Sequence, residues 1–98
     1  MPFLDINCIR NYLSTQPVLR AWLFGSYARG DANSNSDVDL LVVFDKKARV
    51  GLLRHADMII TLEELLGKSV DLVSEGSLYP EIKKEVDKYK KLIYERKS

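Results

Sequence analysis

Cysteine is almost absent from this chain. The single residue, Cys8, excludes an intramolecular disulfide, and its apolar, helix-like surroundings mark a core position rather than a nucleophile. Long apolar runs are also missing. None approaches the ~18 residues needed to span a bilayer, and the N-terminus lacks the basic-then-apolar pattern of a secretory signal. No membrane partner is therefore expected, and a cytoplasmic location is. An excess of one charge is lacking too: 15 basic against 14 acidic residues leave a net charge of +1. That balance argues against strong non-specific binding to nucleic acid, which needs a basic field. The locally basic stretch 83–97 reads as a solvated helix face of mixed charge. Histidine occurs once, as His55, with no histidine or cysteine nearby, so it is not expected to bind metal or catalyse.

Repeats, low-complexity segments and linkers are absent as well. The 98 residues fit one domain over 1–98, and a chain this short buries roughly 60–65% of its unfolded surface. Apolar spacing at Phe3, Ile6, Ile9 and Leu13 predicts a helix over 3–13, started near Pro2 or Asp5 and ended before Pro17. Residues 18–24 read as a strand. Gly25 and Ser26 close it, and 27–29 form a short helix with Gly30 as its cap. A polar loop over 31–36 leads into 37–44, a strand apolar at every position after its acidic start. Such a strand is central, with both faces covered. Residues 50–66 predict a long helix with Leu52, Ala56, Ile59, Leu62 and Leu66 along one stripe, ended by Gly67. A strand over 69–73 follows, then a helix from Pro80 with Ile82, Val86 and Tyr89 inward, then a short strand at 92–94. Long helices between strands favour an α/β (α+β) fold with a mixed β-sheet and flanking helices. Trp22 reads as core.

Three groups of residues carry chemistry. Asp37 and Asp39 stand two apart on a predicted strand, so their side chains share a face, roughly 6.5–7 Å apart at Cα. Two carboxylates ~4 Å apart would repel by about 4 kcal/mol at an effective dielectric near 20. Either one takes a proton or a hard cation sits between them, and Mg²⁺ suits a few carboxylates with phosphate oxygens. Asp71 is a third acid inside an apolar strand, a poor place for an aspartate without a role. If that strand lies beside 37–44, the three acids form one cluster. Gly25 and Ser26 follow a strand and open a short helix, where glycine allows close backbone approach and a hydroxyl can hold phosphate. Arg29 either neutralises phosphate or bridges to Asp31 or Asp37 and organises the loop. Tyr27, beside the same turn, is the tyrosine placed to stack on a base.

The run Gly25, Ser26, Tyr27, Ala28, Arg29, Gly30, followed by Ser36, Asp37, Val38, Asp39, Leu40, Leu41, resembles the signature of the DNA polymerase β-like nucleotidyltransferase superfamily. The short chain and the Val70-Asp71-Leu72-Val73 strand are similar to its minimal nucleotidyltransferase branch. The resemblance implies a polymerase β-like core and a nucleotidyltransferase. Asp37 and Asp39 would bind Mg²⁺, Asp71 would complete the site, and two ions would serve it. Gly25 and Ser26, with Arg29 assigned beside them, would hold the triphosphate. It also implies transfer of AMP from ATP to a hydroxyl, with a HEPN-domain protein as partner in a toxin–antitoxin pair. Two other functions fit the chain less well: a binding module that neutralises a partner by contact alone, and a small-molecule nucleotidyltransferase, for whose extra helical domain there is no length.

Overall fold

The computed structural model describes residues 3–97. Its elements are α1 (Ile6–Leu13), β1 (Val18–Phe24), α2 (Ser26–Arg29), β2 (Val38–Phe44), α3 (Leu52–Leu66), β3 (Val70–Ser74), α4 (Pro80–Tyr89) and β4 (Lys91–Glu95), with a 3₁₀ turn at Glu75–Ser77. The strands form one sheet in the order β3-β2-β1-β4. β1 pairs antiparallel with β2 and with β4, and β2 pairs parallel with β3. The expected mixed sheet is present, and β2 is interior.

Local chemistry explains the boundaries. Asp5 caps α1, its carboxylate accepting from the Cys8 amide at 3.0 Å. Pro2, the other expected start, lies outside the described residues. Gly30 and Gly67 end α2 and α3 at φ of 89° and 65°, a region that favours glycine. Pro80 sits at the start of α4, where its missing N–H costs nothing. β4 carries one extra residue against β1 near Ile93, and the Ile93 carbonyl accepts from Arg10 Nε of α1 at 2.5 Å.

The two faces of the sheet differ. Alternation turns Val38, Leu40 and Val42 of β2, Ala21 and Leu23 of β1, and Val70 and Leu72 of β3 to one side, where they pack with Ile9 and Leu13 of α1 and Met58 and Leu62 of α3. This is the main core. Leu41, Ala28 and Val86 are also buried but lie outside that cluster. Leu41 shares the opposite face with Asp39, and α4 covers part of it: Lys90, just after α4, stands 4.7 Å from the Trp22 ring, and Trp22 pairs with Leu41.

Several expectations need correction. Leu52 is 86% exposed and Ala56 is exposed, so the buried stripe of α3 runs through Met58 and Leu62, with Ile59 and Leu66 beside it. Phe3 lies outside α1 and is exposed. Cys8 and Trp22 are half-buried rather than core, since Trp22 lies on the thinly covered face. Only Val86 of the α4 stripe is fully buried.

Candidate active site

The site lies at the end of the sheet where β1 finishes and β2 and β3 begin. Asp39 is the second residue of β2, and its parallel partner in register is Asp71. Residues opposite each other on neighbouring strands share a face, so both carboxylates stand on the side away from the main core. The antiparallel partner of Asp39 on its other flank is Phe24. Across this face the order is therefore Asp71, Asp39, Phe24. Asp37 stands one residue ahead of β2, exposed and outside the strand, not on it as the spacing predicts.

Two contacts from α3, on the core side, hold the backbone of β3. The Val70 amide donates to a Glu63 carboxylate oxygen at 3.0 Å. His55 Nε2 lies 2.8 Å from the Leu72 carbonyl, which can only accept, so Nε2 carries the proton. The His55 ring also meets Phe44 edge-on at 5.9 Å. The lone histidine is thus structural, as its surroundings in the sequence predict. These groups bracket Asp71 and hold its backbone in place.

Gly25 is the closest neighbour of the acid pair. Its φ of 70° and ψ of −151° fall in a region essentially reserved for glycine. A Cβ there would overlap Asp39 Oδ2 and stand 2.9 Å from Asp39 Cγ. The β1–α2 turn therefore presses its backbone directly against the carboxylate, and Ser26 follows as the first residue of α2.

Electrostatics mark Asp39 as the uncomfortable member. Burial, then the charges of Asp71 and Asp37, push its carboxyl up to about 6, against a smaller lowering by Arg29. Arg29 itself pairs with Asp31, Nε to Oδ2 at 3.3 Å, on a partly exposed side chain. Of its two expected roles, the bridge to Asp31 is the one present, and its charge also reaches Asp39. Tyr27 does not stand ready to stack on a base. It is 3% exposed within the main core, and its hydroxyl has no hydrogen-bond partner among the described residues.

Among the described residues, no three histidine, cysteine, aspartate or glutamate side chains stand close enough together to hold a metal ion. The backbone brings Asp39 and Asp71 side by side, but the three carboxylates are not gathered around one point. Asp37 and Asp71 are exposed, and Asp39 between them is half-buried. The donor set still fits a hard divalent cation. It is all oxygen, half-buried at its centre, and electrostatically frustrated without a positive charge.

The sequence reasoning missed the wall on the other side of Phe24. Ile82, Glu85 and Tyr89 of α4 face Phe24, Gly25 and Arg29 across a cavity of about 150 Å³. Their helical spacing was visible. The surface they would meet was not, because it is made by β1 and α2, more than fifty positions away.

A mixed sheet with paired acids at one end and a glycine turn pressed against them fits a transferase of phosphorylated substrates. The nucleotidyltransferase domain model matches residues 6–97. The chain is 40% identical over 73 residues to an inferred protein adenylyltransferase of Methanocaldococcus jannaschii, covering 74% of this chain and 71% of that protein. It is 47% identical over 64 residues to the protein adenylyltransferase MntA of Thermococcus cleftensis, covering 65% of this chain and 63% of that protein. In structure it is similar to a chain of a toxin–antitoxin complex crystallised with AMP-PNP, with a TM-score of 0.81 and 25% identity, covering 96% of this chain and 76% of that one. The chain belongs to the nucleotidyltransferase domain family, and it is a nucleotidyltransferase.

Proposed function

We propose that this chain transfers AMP from ATP to a hydroxyl of a partner protein. In this reading the partner is a HEPN-domain toxin that the modification silences. The observation that carries it is the register of Asp39 with Asp71, with the Gly25 backbone pressed against Asp39. That arrangement offers one place where a triphosphate and an acceptor meet. The names of the relatives support AMP as the transferred group.

The residues divide the work by position. Gly25 and Ser26 receive the triphosphate, because no side chain at Gly25 blocks its approach to Asp39. Arg29 offsets phosphate charge from the same turn. Asp37 and Asp39 bind on the donor side, and Asp71 faces the acceptor. The acceptor oxygen attacks the α-phosphorus, the bond between the α- and β-phosphates breaks, and pyrophosphate leaves. Asp71 takes the acceptor's proton. Mg²⁺, as two ions held by Asp37, Asp39 and Asp71, would neutralise the triphosphate and acidify the acceptor hydroxyl.

The test is transfer of radiolabelled AMP to the partner by wild type and by Asp37→Asn, Asp39→Asn and Asp71→Asn. Each variant is expected to lose transfer by at least 100-fold, on the order of the loss for a general base, while keeping the circular dichroism of wild type. Transfer retained by all three rejects the mechanism. Neutralisation of the partner in cells by the Asp37→Asn/Asp39→Asn double variant favours the contact-only module.

A further inference from the structure

The cavity beside Phe24 continues the site in one direction only. On the acid face the order is Asp71, Asp39, Phe24, and the cavity lies beyond, walled by α4. Asp71 faces the acceptor in the reading above, so the acceptor approaches from the opposite side. What enters from the Gly25 turn and extends past Phe24 is the donor.

Size and lining narrow the occupant. At about 150 Å³ the cavity is well below the ~300 Å³ at which sites for whole ligands begin. It takes one ring system, not a nucleotide. Its walls include Ile82 and Tyr89, which are 49% and 39% exposed although they share the apolar stripe of α4 with buried Val86. These apolar surfaces are uncovered at the place a flat ring would cover them. The polar lining is divided by sign. Arg29 belongs to the turn that receives phosphate, whereas Glu85, on α4, can only accept hydrogen bonds when ionised. An acceptor across an apolar slot suits a ring bearing an amino group.

We propose that this cavity holds the purine base of the donor nucleotide, packed against Phe24, Ile82 and Tyr89, with its amino group read by Glu85. The inference rests on the nucleotidyl-transfer reading and adds to it the residues that choose the base. Apolar packing tolerates any ring. The selective group is Glu85; it is exposed, so the discrimination it gives is smaller than that of a buried partner.

Calorimetric titration in Mg²⁺ with three probes tests it: ATP, inosine triphosphate, which carries an oxygen in place of the amino group, and inorganic tripolyphosphate, which has no base. Tyr89→Ala and Ile82→Ala are expected to weaken ATP on the order of 10-fold and leave tripolyphosphate unchanged. Tyr89→Phe, which keeps the ring, is expected to bind ATP as wild type does. Glu85→Gln, able to donate as well as accept, is expected to narrow the preference for ATP over inosine triphosphate. Unchanged ATP affinity in both alanine variants overturns the inference, and a raised KM for the partner in those variants assigns the cavity to the acceptor. An unchanged preference in Glu85→Gln overturns the reading of the amino group. Wild type that binds neither ATP nor tripolyphosphate overturns the transfer reading itself, and the base site with it.

Discussion

At the residue scale, Gly25 and Asp39 form one device. The glycine is required twice, by a backbone conformation costing about 1–3 kcal/mol for other residues and by the space its missing side chain leaves to Asp39. Gly25→Ala is expected to lower stability by at least that amount in urea denaturation and to abolish ATP binding. A variant with wild-type stability and affinity would show that the turn does not press on the carboxylate. Asp39 has its own signature. Its carboxyl is held up to about 6 against 3.8 in the unfolded chain, so between those values the folded state binds the extra proton. Stability of the metal-free protein therefore falls as pH rises through that window, and the loss is complete above about 6. Thermal melts in EDTA are expected to show this fall in wild type and a flatter profile in Asp39→Asn, with the variant the more stable of the two at pH 7.5. Equal slopes would remove the charge conflict from the account.

At the element scale, β3 is held by groups that never touch substrate. Glu63 and His55 come from α3, on the core side, and fix the backbone on either side of Asp71. Glu63→Ala leaves the Val70 amide without its partner and is expected to cost about 1–3 kcal/mol. A loss in kcat larger than the change in ATP affinity would identify it as a positioning residue, and an unaffected kcat would leave it a role in stability alone. The elements were legible in the sequence where local chemistry sets them. Strand β1 is predicted to the residue, and β2, β3 and the helix that Gly30 caps fall within one residue of expectation. Burial was less legible. Leu52, Trp22 and Tyr27 carry side chains whose surroundings come from distant segments, and no spacing rule states which face of a sheet a later helix covers. The acids Asp37, Asp39 and Asp71 were readable because their chemistry conflicts with their apolar neighbours, a conflict visible without knowing the fold.

At the scale of the whole molecule, the site is a charge imbalance inside an otherwise balanced chain, with net charge +1 overall. A cation held by these acids would act on that imbalance. Millimolar Mg²⁺ is expected to raise the melting temperature of wild type at pH 7.5 by mass action, and Asp37→Asn/Asp39→Asn is expected to lose the response. An equal rise in both would place the cation elsewhere. In the basic C-terminal stretch, Lys83 and Lys90 pair with Asp87 at 3.0 and 2.8 Å.

The order of strands in the sheet also sets a timetable for biosynthesis. Phe24, Asp39 and Asp71 are adjacent in space but are made far apart in time on the ribosome. The β1–β2 pair can close first, yet no acid pair exists until β3 has emerged behind α3. Strand β4, made after β3, is the one that covers the outer edge of β1. Until then a nascent chain presents an open strand edge able to pair with other chains. The pairing that sets Asp39 beside Asp71 thus needs only segments made before the strand that covers the β1 edge.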